Sequence, residues 1–278
     1  MRCDRCGRDA VLFQPSSGLR LCAGHLRLSL EARAKRTIRD HGWIRPGDRI
    51  AVACSGGPCS SSLLHFLREH FGMRRDLTLV AITVDEGRPG MARIGALAEG
   101  MGIEWVASEE TGVPPAGCTW PRDRALSSLA RRAGATRLAL GTTLDDAARS
   151  VFLHVLRGDA ARLAGSSHGD EEIPCIRPFL RIPEEELALY ARLTVPGHLP
   201  PREPQAMDQV EKEAGQMLAD YTSRHPSAPF AVVNLGEALA GWSGPGKGRQ
   251  SPCGRCGEPV PPGCPARGAW GREVTGNG

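Results

Sequence analysis

Apolar residues along this chain gather in short unbroken runs rather than in strict alternation with polar ones. "DRIAVACSGG" at 48–57, "LTLVAITVDEG" at 77–87, "IEWVASEE" at 103–110 and "RLALGTTLDD" at 137–146 each hold an apolar centre and end in small, polar or acidic residues. Such runs predict strands covered on both faces. Between them lie stretches with helical spacing: "SSSLLHFLREHFG" at 60–72, "MARIGALAEGMG" at 91–102, "ALSSLARRAGA" at 125–135 and "AARSVFLHVLRGD" at 147–159. Strand followed by helix, repeated, predicts an open α/β domain with a doubly wound, mostly parallel sheet. In such a domain ligands collect at the carboxyl ends of the strands.

The ends of the chain break this rhythm. Residues 1–28 hold Cys3-x-x-Cys6, a hairpin-like "AVLFQPSSGLRL" and Cys22-x-x-His25. Two matched pairs of this spacing predict a tetrahedral, structural zinc (Zn2+) site and an interaction surface. "LRLSLEARAKRTIRDHG" at 26–42 then predicts an amphipathic helix with a basic face. The expected units are a zinc finger at 1–28, the α/β domain at 29–195 and a helical or irregular extension with a linker at 196–248. A C-terminal cluster at 249–267 holds Cys253, Cys256 and Cys264, and 268–278 reads as a disordered tail.

Composition changes little of this. With 278 residues and 41% hydrophobic content the chain can bury a good core, and no apolar run approaches a membrane span. "MRCDRCGRDA" has no hydrophobic signal region, so a cytoplasmic address is expected. The net charge of +4 permits an RNA partner without demanding one. His65, His70 and His154 have no neighbour at ligand spacing and are expected to pack or face solvent, and Cys54 and Cys175 to be core thiols.

Candidate chemistry centres on "SGGPCS". Glycines there let successive N–H groups turn inward at a helix start and form an anion nest, with Ser55, Ser60 and Ser61 as hydroxyl donors. Neither a Walker loop nor a dinucleotide fingerprint is present.

In order along nearly the whole chain, these parts resemble the PP-loop ATP pyrophosphatase superfamily (adenine nucleotide alpha hydrolase-like). Within it they are similar to the two-zinc-finger branch of tRNA 2-thiolation enzymes, the tRNA thiouridine synthetases. The residues concerned are Cys3, Cys6, Cys22 and His25; Ser55 to Ser60; "VDEG" at 84–87; Cys118; "GTTLDDAA" at 141–148; "RPFLRIPEEELALYARL" at 177–193; and "CGRCGEPVPPGC" at 253–264. The resemblance implies a sulfurtransferase that uses ATP and Mg2+ to adenylate a nucleobase carbonyl and then replaces oxygen by sulfur. Ser55, Gly56, Gly57, Ser60, Ser61, Asp85 and Gly141 would bind the nucleotide, and Cys118, Asp145 and Asp146 would carry the chemistry. Partners implied are tRNA or a nucleobase-containing small molecule, a sulfur carrier or persulfide donor protein, no membrane, and a second copy in a homodimer.

Five positions depart from the family pattern. Cys59 stands in place of the loop aspartate and Thr142 in place of a histidine. Pro121 replaces the second thiol of a C-x-x-C, "HLPPREPQA" lacks a further cysteine, and Arg267 replaces a fourth C-terminal zinc ligand. Since those mid-chain thiols hold an iron–sulfur cluster in part of the family, an iron–sulfur cluster is not expected here. The losses also leave open a catalytically degenerate paralogue, a zinc-containing module that binds RNA or protein. Cys118 reads equally as a sulfur-bearing thiol or as a plain loop residue. Cys59 reads as a replacement that packs.

Overall fold

The computed structural model describes residues 1–84, 91–108, 120–163, 173–195 and 209–240. Strands β1 (Leu12–Gln14) and β2 (Leu19–Leu21) form a small antiparallel hairpin, and helix α1 (Ala23–Asp40) starts directly after Cys22. There follow β3 (Arg49–Ala53), α2 (Pro58–Phe71), β4 (Thr78–Thr83), α3 (Met91–Gly100), β5 (Glu104–Ala107) and α4 (Trp120–Arg132). Next come β6 (Arg137–Ala139), α5 (Leu144–Leu156), the short α6 (Ala160–Leu163), β7 (Cys175–Ile176) and α7 (Glu184–Thr194). Helices α8 (Gln209–Arg224) and α9 (Ala228–Ala240) close the described chain and pack on α5.

Strands β3 to β7 make one parallel sheet in the order β5-β4-β3-β6-β7. The unbroken apolar runs are explained by the two cores that this sheet separates. Ile50 and Val52 of β3, with Leu79 and Ala81 of β4, face a core built with α1, α2, α3 and α7. The alternate residues Ala51, Val80 and Ile82 face a second core with Leu126, Leu129 and Ala130 of α4. Side chains on a strand alternate between faces, so a sheet covered on both sides needs apolar residues at every position. Helices on both faces make the sheet doubly wound, as the sequence pattern predicts. In the first core Phe66 of α2 is fully buried, its ring 5.6 Å from that of Phe179. Truncating such a ring typically costs about 3–5 kcal/mol.

A buried polar seam joins α1 to α2 and α7. Glu31, 5% exposed, accepts hydrogen bonds from Arg27 Nε at 2.8 Å and Tyr190 Oη at 3.2 Å. His70 Nε2 stands 3.2 Å from Glu31, His65 Nε2 stands 3.2 Å from Glu69, and Arg27 also pairs with Glu69. Burial pushes the Tyr190 phenol well up, helped by the Glu31 carboxylate, so Tyr190 stays a donor. Burial also lowers the His65 pKa. The two histidines therefore belong to a buried polar seam. Glu69 lies four residues after His65 on α2, whereas the Glu31 that faces His70 comes from α1 and is not visible in the spacing of α2. His154 likewise stands 4.0 Å from buried Asp159.

Candidate functional site

The order of the strands locates the site. From β3 the chain winds outward through β4 to β5, then crosses back to place β6 and β7 on the other side of β3. The carboxyl ends of β3 and β6 therefore flank the switch point, where open α/β sheets form a ligand crevice. The loop after β3 is Cys54-Ser55-Gly56-Gly57, and the loop after β6 is Leu140-Gly141-Thr142-Thr143.

Each loop owes its shape to specific contacts. Gly56 takes φ of +80°, a conformation costly for any residue with a Cβ. Ser60 Oγ accepts the Ser55 N–H at 3.2 Å, lies 3.3 Å from Ser55 Oγ and donates to the Gly57 carbonyl at 3.1 Å. Ser61 Oγ donates to the same carbonyl at 3.0 Å. These hydroxyls brace the loop from within. No side chain caps α2, and Pro58 at its first turn offers no N–H. The first backbone N–H groups of a helix lack intrahelical partners, so this open end can hold an anion. Gly141 sits against that end: a Cβ there would lie 3.0 Å from the Cys59 carbonyl carbon and 3.1 Å from both the Cys59 oxygen and the Ser60 nitrogen. Gly141 thus lets the two loops touch backbone to backbone.

The start of α5 is built in the opposite way. Thr143, fully buried, caps it: its Oγ1 accepts the Asp146 N–H at 3.1 Å, and Asp146 Oδ2 accepts the Thr143 N–H at 3.1 Å. Asp145 Oδ2 accepts the Glu184 N–H at 2.6 Å, which ties α5 to the first turn of α7. Each carboxylate keeps its Oδ1 outside these bonds. Thr143 and Glu184 were not singled out in the sequence, although T-x-x-D before an apolar run is a capping-box signature. Cys59 lies within this acidic rim, and burial, then Asp146, Glu184 and Asp145, pushes its thiol up to about 12. It is a protonated packing residue. Glu184 is itself raised by burial and by Asp146 and Asp145. Cys54, buried under the loop, is pushed up to about 12 by burial alone.

The crevice thus brings together Ser55, Gly56, Gly57, Ser60, Ser61, Gly141, Asp145 and Asp146. Asp85, Cys118, Cys253, Cys256 and Cys264 lie outside the described residues.

A second centre stands at the N-terminus. Cys3, Cys6, Cys22 and His25 bring their ligand atoms within 4.8 Å of one another. Cys6 Sγ lies 3.7 Å from Cys22 Sγ, and His25 Nδ1 lies 3.6 Å from Cys3 Sγ and 3.3 Å from Cys22 Sγ. A tetrahedron with zinc–sulfur and zinc–nitrogen bonds of normal length has edges of about 3.8 Å (S–S) and about 3.5 Å (S–N). The donor set therefore fits zinc. Burial raises the Cys3 thiol, but the backbone N–H groups of Arg5, Cys22 and Cys6 outweigh it and hold the pKa at about 6, which favours the thiolate that a metal needs. His25 lies in the first turn of α1, so the finger runs into the helix across the expected boundary at residue 28.

An open parallel sheet of this strand order, with a glycine-shaped helix start at its switch point, has the architecture of the PP-loop fold. Residues 2–27 match the family model described as the N-terminal LIM domain of the 2-thiouridine synthetase TtuA. The tRNA 2-thiolation protein NcsA of Haloferax volcanii is 32% identical, over 92% of this chain and 94% of that one. The cytoplasmic tRNA 2-thiolation protein 1 of Anopheles gambiae is 30% identical, over 91% of this chain and 82% of its own. Among solved structures, the U34-tRNA thiolase NcsA from Methanococcus maripaludis with its [4Fe-4S] cluster overlays with a TM-score of 0.74. That overlay covers 86% of this chain and 88% of that one, at 23% identity. The chain belongs to the tRNA 2-thiolation family of PP-loop proteins. No helix among the described residues is long and apolar enough to cross a membrane.

One expectation is corrected by these comparisons. The departures at Pro121 and in "HLPPREPQA" led to the expectation of no iron–sulfur cluster, yet the overlaid archaeal thiolase carries one. Counting thiols at family positions gave the wrong inference.

Proposed function

We propose that this protein thiolates a uridine of tRNA at the C2 position, using ATP to activate the carbonyl. The observation that carries the reading is the uncapped start of α2 at the switch point, held against Gly141. The β- and γ-phosphates would lie on the N–H groups of that first turn, which donate to the charge that builds on departing pyrophosphate. The uridine O2 attacks the α-phosphorus, the bond to pyrophosphate breaks, and an adenylated uridine results. Sulfur then adds at C2 and AMP leaves. When sulfur arrives as a persulfide on Cys118 from a carrier protein, its outer sulfur bonds C2 as AMP leaves. An external thiol then attacks the Cys118 sulfur, which breaks the S–S bond, releases the 2-thiouridine and leaves a mixed disulfide that a second external thiol reduces. Mg2+, held by the Oδ1 atoms of Asp145 and Asp146, would neutralise phosphate charge. Zinc at Cys3, Cys6, Cys22 and His25 would be structural. A homodimer rests on the resemblance alone.

A second reading has its own support. Cys59 is protonated, and Asp145 and Asp146 each spend an oxygen on a helix cap. These features suit a family member that binds nucleotide and tRNA without turnover.

The test is release of pyrophosphate and AMP from ATP with magnesium and bulk tRNA, before and after reconstitution with iron and sulfide, and with a persulfide donor. Turnover and 2-thiouridine lost in Gly57→Asp and Cys118→Ser support the enzyme. ATP binding without turnover under every condition supports the second reading, and no ATP binding at all overturns both.

A further inference from the structure

The positive charge of this protein is not spread over it. Residues 1–40 hold nine Arg and Lys against four Asp and Glu, a net of +5, so the other 238 residues carry −1 of the chain's +4. Within these residues two cations are held by carboxylates of the helix core: Arg27 pairs with Glu31 and Glu69, and Arg33 with Glu186. Arg5, Arg8, Lys35 and Arg36 are exposed and pair with no carboxylate among the described residues. Arg2, Arg20 and Arg39 are exposed too, and their ion pairs, at 3.5, 3.7 and 4.0 Å, are open to solvent. On α1 the outward stripe reads Leu28, Ala32, Lys35, Arg36 and Arg39, the spacing of one helix face. Helix α1 has 18 residues and so extends this band about 27 Å away from the hairpin.

The hairpin adds a second kind of contact. Phe13 is 48% exposed and stands directly across from Arg20 in the strand register, with Val11, 49% exposed, beside it in sequence. A half-exposed aromatic ring beside a guanidinium is a platform on which an unpaired base can stack.

We propose that the finger hairpin and the outer face of α1 together form the tRNA-binding surface. Arg5, Arg8, Lys35 and Arg36 would contact phosphates, and Phe13 would stack on an unpaired base. This rests on the proposed tRNA substrate and names the part of the chain that holds it. Unpaired surface cations against a slightly acidic remainder favour a polyanion, and the exposed ring favours one with accessible bases.

The experiment measures binding of fluorescently labelled bulk tRNA to the full chain from 50 to 200 mM KCl. Four variants are compared with wild type: Arg5→Glu/Arg8→Glu, Lys35→Glu/Arg36→Glu, Phe13→Ala, and the control Lys212→Glu/Arg224→Glu on exposed positions of α8. Each patch reversal is expected to weaken binding at least about tenfold and to flatten the salt dependence by one to two phosphate contacts, about 0.7–0.9 in slope each. Phe13→Ala is expected to weaken binding about tenfold with the slope unchanged. Zinc content and ATP affinity should stay at wild-type values in all four. Patch reversals that match the control, in affinity and slope, overturn the surface while leaving tRNA as substrate. Wild type that binds no tRNA at any salt overturns the surface and the substrate together.

Discussion

Two helix starts face each other across the crevice, and they are built in opposite ways. Helix α5 closes its own first turn with Thr143 and Asp146, reciprocally bonded. Helix α2 begins on Gly57 with no side-chain cap, and its nearby hydroxyls bond the loop behind it. A capped start is stable by itself and has spent its capped N–H donors, so it does not offer them to an anion. A start on glycine forgoes only roughly a few tenths of a kcal/mol of capping and keeps its donors free. Stability and binding are thus divided between two neighbouring turns, with Gly141 as the contact between them.

The largest effect should come from making the first start resemble the second. Gly57 has extended backbone angles (φ −87°, ψ 168°) that an aspartate N-cap adopts readily. Gly57→Asp should leave thermal stability at or slightly above wild type and abolish ATP binding, because the new carboxylate occupies the donors and repels phosphate. Calorimetry on one preparation reads both. Loss of folding instead would mean that the loop, not the ligand, needs the glycine.

Gly141→Ala should come next. The added methyl meets backbone at 3.0–3.1 Å, which no rotamer change relieves, so the loops must part. The expected cost is about 1–3 kcal/mol of stability together with about tenfold weaker ATP binding. Wild-type affinity in this variant would show that the two loops need not touch.

Thr143→Ala should then separate the two starts. It removes the cap of α5 and should cost about 1 kcal/mol in denaturant unfolding, with ATP affinity within about twofold of wild type. A large loss of affinity would place Thr143 on the ligand.

The smaller effects concern protons. The folded pKa of Glu184 is raised, so near its ordinary value the native state binds the proton more tightly than the unfolded chain does. Its contribution is therefore lost as pH rises from about 4.5 through the folded pKa. Glu184→Gln should be more stable than wild type above that window and should lose the advantage below it, which melting curves from pH 3.5 to 8 would show. With its pKa near 12, Cys59 should alkylate at pH 8 about a thousandfold more slowly than a free thiol. Rapid labelling there, mapped by peptide mass, would show that the thiol is not held in the acidic rim.

Much of this comparison was legible before any coordinates. The unbroken apolar runs gave the doubly wound sheet because every strand position feeds one of two cores. The cysteine spacing gave the finger because ligand geometry is set within a few residues. What spacing could not show was how the crevice residues are used. Asp145 and Asp146 read as carboxylates for the chemistry, and only the approach of Glu184 from 39 residues further on shows Asp145 bound to a backbone N–H. Gly141 read as a nucleotide contact, but its observed work is to let two backbones meet. The basic face of α1 was visible, whereas its union with the finger depends on which cations are paired with Glu69 and Glu186.

The passage of α1 through residue 28 bears on how this chain can be shortened. A cut at that boundary would remove Arg27 as well as the cysteine–histidine cluster, since Arg27 and the ligand His25 both belong to the first turn and a half of one helix. Glu31 would lose the cation that neutralises it while staying enclosed by Tyr190 and His70. An unpaired buried carboxylate costs several kcal/mol. The finger is therefore no detachable accessory: a lineage that discards it must also rewrite Glu31, and a truncation that keeps Glu31 should come out of cells as aggregate.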